Sequence, residues 1–147
     1  MSLPFSESPL EPVREPLEQG PGRRHVRRTV LVVEDDPENR ALIVALLASW
    51  GYKPLPVGSA EEAEVATVSE CVAAAIVDVF LPGRSGTHLM PRLRERFPDM
   101  VVIGMSALGN AAMARQCKGH GADLFIQKPV RPDELAQALK SEHHSWH

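Results

Sequence analysis

The chain has 147 residues, 44% hydrophobic and 24% charged, which suits one domain with a real apolar core. No apolar run approaches the ~20 residues that cross a bilayer, and the N-terminus lacks the apolar stretch of a secretory signal, so a non-membrane, cytoplasmic protein is expected. The two cysteines, Cys71 and Cys117, form neither a disulfide framework nor a zinc-ligand spacing. Residues 1–28 carry five Arg against four Glu, leaving the remainder at −4 of the total −3, and an acidic domain argues against direct nucleic-acid binding.

Residues 1–28 hold five prolines and no helical or strand periodicity, so they read as a disordered leader with a short basic run from Arg23 to Arg28. Thr29–Val33 is a continuous apolar run fit for a buried parallel strand. Asp36 is a helix N-cap candidate, Pro37 opens the helix, and the helix runs to Gly51. Tyr52–Val57 is a strand whose Pro54 and Pro56 place it at a sheet edge. Ser59 caps a second helix, with Glu61 and Glu62 in its first turn.

Val72–Val77 is another buried strand, followed by a loop, Asp78–Gly86, and a helix stopped by Pro98. Met100–Met105 is a fourth strand, Asn110–Lys118 an Ala-rich helix closed by Gly119 and Gly121, and Ala122–Ile126 a short fifth strand. Pro132 opens a last helix with Leu135 and Leu139 on its inner face, and residues 143–147 form a disordered tail. Five βα units over residues 29–142 predict an α/β fold. Its core is a doubly wound five-stranded parallel sheet with helices on both faces. The prolines of the second strand favour the flavodoxin-like order 2-1-3-4-5, with a site at the carboxyl ends near the first and third strands.

Those ends carry chemistry. Glu34, Asp35 and Asp36 follow the first strand, Asp78 the third, Ser106 the fourth and Lys128-Pro129 the fifth. Clustered carboxylates repel, by about 4 kcal/mol per pair at ~4 Å and an effective dielectric near 20. An all-oxygen acidic site suits Mg²⁺, which keeps waters and recruits phosphate. Lys128 is a point charge suited to a phosphoryl oxygen, and Ser106 can donate a hydrogen bond to another. For Asp36, helix capping is the favoured role over metal binding.

The set Val32-Val33-Glu34-Asp35-Asp36, Asp78-x-x-Leu81-Pro82-Gly83-x-Ser85-Gly86, Met105-Ser106-Ala107 and Lys128-Pro129 resembles the receiver domain of two-component response regulators. The resemblance implies phosphorylation of Asp78 by a histidine kinase or phosphotransfer protein. It implies Mg²⁺ held by Glu34, Asp35, Asp78 and the backbone carbonyl of Phe80. Ser106 and Lys128 would bind the phosphoryl group, and Ser106 with Phe125 would act as the switch, although Phe125 reads equally as a core residue. Glu34 stands where the family commonly has Asp, and Ser106 where Thr is commoner.

Such a domain is not an enzyme acting on a separate substrate; it catalyses its own phosphotransfer and dephosphorylation. Its output would be a protein contact or self-dimer through the face of the fourth helix, fifth strand and last helix. A single-domain regulator and a receiver cut from a longer chain both fit. Phe80 and Leu108 border the approach of a hydrolytic water in that family; both are apolar here, which implies a long-lived phosphoryl group. A haloacid-dehalogenase-type hydrolase fits less well, because its D-x-D slot after the first strand reads Glu34-Asp35-Asp36.

Overall fold

A computed structural model describes residues 28–81 and 85–141. The leader expected over residues 1–28 lies outside the described residues except for Arg28, as do the expected tail 143–147 and Pro82 and Gly83 of the loop motif. The elements alternate: β1 (Thr29–Val33), α1 (Pro37–Ser49), β2 (Lys53–Val57), α2 (Ala60–Ala66), β3 (Val72–Asp78), α3 (Gly86–Arg96), β4 (Val101–Ser106), α4 (Ala111–Gly119), β5 (Leu124–Gln127) and α5 (Pro132–Ser141). All strands pair in parallel in the order β2-β1-β3-β4-β5, as expected. Among the described residues no helix is long and apolar enough to cross a membrane.

The central strands are apolar except for Thr29 and the terminal Asp78 and Ser106, because both sheet faces are covered, and their side chains divide two cores. Val30, Val32, Ala74, Ile76, Ile103 and Met105 point to the side that Ile43 and Leu47 of α1 and Leu135 and Leu139 of α5 seal. Leu31, Val33, Ala75, Val77 and Val102 point to the side that Ala60 and Ala63 of α2, Leu89 and Leu93 of α3 and Cys117 of α4 seal. β2 lies at the edge, where Pro54 and Pro56 leave no ladder donor unmet on an inner strand.

Helix starts follow local side-chain chemistry. Asp36, Ser59, Ser85 and Asn110 each accept the N–H three residues on, which satisfies a donor that the first turn leaves open. Gly51, at φ 90°, turns the chain out of α1 in a conformation that side chains resist.

Several boundaries differ from the sequence expectation, and two of the shifts matter. β3 runs through Asp78 and β4 through Ser106, where the sequence placed both residues beyond the strand ends. The reason is the ladder: Asp78 pairs with Met105 and Ser106 with Gln127, and Val79 N–H still reaches the Met105 carbonyl at 2.9 Å. β5 begins at Leu124 and not Ala122, because it pairs only from Ile103 onward.

Gly86 opens α3 with its N–H on the Val79 carbonyl at 3.0 Å, and a Cβ there would fall on the Asp78 carbonyl. Gly86→Ala is therefore expected to destabilise the domain by about 1–3 kcal/mol through overpacking. Gly119→Ala, where nothing lies within 4 Å of the added carbon, should be neutral or stabilising. Urea midpoints of the two variants check this contrast, and equal midpoints would show that the close approach at Gly86 relaxes freely.

Candidate functional site

Parallel pairing in register sets the strand ends in one row. Val33 lies opposite Val77, Asp78 opposite Met105 and Ser106 opposite Gln127, so Glu34, Asp78, Ser106 and Lys128 come to the same edge of the sheet. Neighbouring strands stand only ~4.8 Å apart, so side chains from adjacent ends meet directly. Carboxylate oxygens of Glu34, Asp35 and Asp78 all lie within 4.8 Å of one another. Glu34 and Asp78 are buried and Asp35 is exposed.

Lys128 bridges the two buried acids. Its Nζ lies 2.7 Å from Glu34 Oε1 and 2.7 Å from Asp78 Oδ2. Its backbone N–H donates to the Ser106 carbonyl at 2.8 Å, so the end of β4 holds the lysine in place. The Lys128–Pro129 peptide bond is cis.

Asp78 Oδ1 accepts the backbone N–H of Phe80 at 3.0 Å. Glu34 Oε2 accepts the Asp36 N–H at 3.1 Å, and Oε1 also accepts Asn39 Nδ2 at 2.7 Å. Arg40 Nη1 donates to the Glu34 carbonyl at 2.7 Å, which fixes the backbone of the acidic turn.

Burial and donors split the two buried acids. Burial alone would push Glu34 up, but Lys128, the Asp36 N–H and Asn39 hold it below its ordinary value. Burial pushes Asp78 up, and Lys128 and the Phe80 N–H only partly offset this, while Glu34 adds to the rise. Burial would lower Lys128, but Asp78 and Glu34 raise it, so it stays an ammonium.

The donor set fits Mg²⁺: three carboxylates supply only oxygen, and one lysine leaves negative charge in excess. Of the residues named from sequence, Glu34, Asp35, Asp78 and Lys128 come together, whereas the others stand in separate poses. Asp36 is the cap of α1, accepting the Asn39 N–H at 3.1 Å. Ser106 is fully buried, and its Oγ accepts the Leu108 N–H at 3.0 Å, which directs it into its own loop. Phe80 meets Asp78 through its N–H, while its side chain is 52% exposed and that of Leu108 is 56% exposed. Phe125 is half-buried and packs on the core under α2, α3 and α4.

Asn39 and Arg40 were missed from sequence. Both sit in the first turn of α1, where polar residues are ordinary, and only the folded turn shows that they face back to Glu34.

The response regulator receiver domain family matches residues 30–140. The chain is 36% identical over 107 residues to a cyclic di-GMP phosphodiesterase of Thermotoga maritima, covering 73% of this chain and 28% of that protein. It is 36% identical over 120 residues to the transcriptional regulatory protein AruR of Pseudomonas aeruginosa, covering 76% of this chain and 48% of that protein. The chain therefore spans less than half the length of either relative. A solved response regulator from Thermotoga maritima matches with a TM-score of 0.72 at 28% identity, covering 80% of this chain and 98% of that one. The chain belongs to the response regulator receiver domain family of two-component signalling, whose general function is a switch driven by phosphorylation.

Proposed function

We propose that Asp78 is the phosphoacceptor, taking a phosphoryl group from a histidine kinase or phosphotransfer protein with the help of Mg²⁺. One observation carries this reading: Asp78 is a buried carboxylate held between the Phe80 N–H and the Lys128 ammonium, beside two further acids. An Asp78 oxygen attacks phosphorus, the bond from phosphorus to the donor's imidazole nitrogen breaks, and the imidazole leaves with the electron pair. Glu34, Asp35, Asp78 and the Phe80 backbone carbonyl would hold the metal. When bound, the cation neutralises charge on the acids and on the incoming phosphoryl oxygens.

The chain's own residues do the rest. Lys128 lies on the acceptor oxygen and can follow charge as it moves onto the phosphoryl group. Ser106, once it releases the Leu108 N–H, supplies a hydroxyl donor to a phosphoryl oxygen. That movement pulls on the loop leading to α4, whose apolar anchors are buried Cys117 and partly buried Met113, few enough to let it move. The face of α4, β5 with Phe125, and α5 then changes its contacts with a downstream protein or a second copy. The setting proposed is cytoplasmic, as a single-domain regulator or as the receiver part of a longer one.

Three outcomes are expected. Acetyl phosphate with Mg²⁺ should add one phosphoryl group to the wild type and none at this position in Asp78→Asn, as read by intact-protein and peptide mass spectrometry. Equal labelling of both proteins would remove Asp78 from the reaction.

Mg²⁺ should raise the melting temperature of the wild type, since a ligand at a hundred times its Kd stabilises by about 2.7 kcal/mol. Asp35→Asn should melt higher than wild type without the ion and respond weakly to it. An unchanged Mg²⁺ response in that variant would place the metal elsewhere.

Phe80 and Leu108 project at the rim with no group that could hold or deprotonate a water. The combined Phe80→Asn and Leu108→Glu variant should lose phosphate up to about a hundredfold faster, the lower end of what positioned acid–base help supplies. Decay of purified phosphoprotein in Mg²⁺ measures it; an unaltered half-life would show that these side chains do not set the lifetime.

A further inference from the structure

Glu34 reaches Lys128, and its pose there is held from the side. Its side chain is wholly buried, and three donors meet its carboxylate: Lys128 Nζ and Asn39 Nδ2 on Oε1 at 2.7 Å each, and the Asp36 N–H on Oε2 at 3.1 Å. A carboxylate offers about four lone-pair sites, so three are taken.

Asn39 is the third residue of α1, and its own N–H already binds the Asp36 cap. Ala or Glu would serve the helix better at that position, so the amide is not there for helix propensity. Its Nδ2 shares Oε1 with Lys128, and Lys128 in turn meets Asp78 Oδ2 at 2.7 Å. The links run in one line from Asn39 to Glu34, to Lys128, to Asp78.

We infer that Asn39 is a positioning residue for this site: it fixes Glu34 as the anchor of Lys128 and thereby seats the ammonium on Asp78. Asn39 touches neither the acceptor nor the phosphoryl group. Glutamate has one more rotatable bond than aspartate, and the amide removes that freedom at the oxygen Lys128 uses. Outer partners of this kind orient the groups that do the chemistry, and small misplacements cost rate. The effect on phosphorylation rests on Asp78 being the acceptor; the seating of Lys128 does not.

The test uses the full chain with isotope-labelled lysine. Asn39→Ala should fold, since alanine favours the helix, and should shift the Lys128 side-chain resonances without added phosphate or metal. Asn39→Asp keeps the size but sets an acceptor against Glu34 Oε1, and should shift them further. Both variants should slow labelling by acetyl phosphate by about tenfold.

The decisive comparison is made in a Glu34→Asp background, where the shorter acid no longer meets the amide. There Asn39→Ala should change the rate less than about twofold, because two mutations on one link are not additive. Unmoved Lys128 resonances in both Asn39 variants, or rate losses that multiply across the two sites, would overturn the inference. A wild type that takes no phosphate would instead count against Asp78 as acceptor, and the Lys128 resonances would still decide the role of Asn39.

Discussion

Glu34 and Asp78 share one ammonium, and the arrangement of the site follows from that unequal match. At an effective dielectric near 20, each attraction or repulsion between unit charges ~4 Å apart is worth about 4 kcal/mol. Lys128 attracts both acids, but the acids repel each other, and exposed Asp35 adds a third negative charge nearby. The balance stays negative, a charge distribution suited to a cation. Among the described residues the donors also divide unequally: Glu34 has three and is held below its ordinary value, whereas Asp78 has two and is raised by burial. A carboxylate less satisfied than its neighbour is the one with something to gain from new partners.

That pairing exists only because parallel strands end in register. A one-residue slip between β1 and β3 would turn Glu34 to the other face of the sheet and leave Lys128 with a single acid. The register is held from within by two apolar cores, whose side chains alternate along β1, β4 and the Ala74–Val77 stretch of β3, past a register shift between Thr29 and Val30. Val33 and Val77 lock the strands together one residue before the charges begin. The polar site is thus positioned by apolar packing directly beneath it, and the buried ion pairs need not supply the stability themselves.

The helices are not anchored equally. α1 and α5 seal one face with fully buried Ile43, Leu47, Leu135 and Leu139. α4 fully buries only the Cys117 side chain, with Met113 partly buried beside it; Cys117 is seated over Gly104, where an added carbon would press on its sulfur at 3.2 Å. Past α4 the chain is fixed again: Arg94 binds the Gly121 carbonyl and Asp123, and Asp123 takes the Val102 N–H. α4 thus stands between the buried Ser106 and a turn pinned by Arg94 and Asp123.

Much of this was legible in residue order. The apolar runs gave the central strands, Pro54 and Pro56 gave the edge, and Asp36, Ser59 and Asn110 marked helix starts, because each rests on contacts within a few residues. The acids, the serine and the lysine stood at strand ends and so had to share one edge of any sheet with the order 2-1-3-4-5. What residue order could not determine is which donor serves which oxygen. Lys128 spans two acids, which depends on distances between strand ends far apart in the chain; Asn39 turning back to Glu34 and Ser106 accepting the Leu108 N–H are contacts within a few residues, whose choice among local partners residue order leaves open. Local hydrogen bonds and hydrophobic period set the elements and the inventory of the site. The pose of each charge was decided only by the folded sheet, because electrostatic partners are chosen by separation in space.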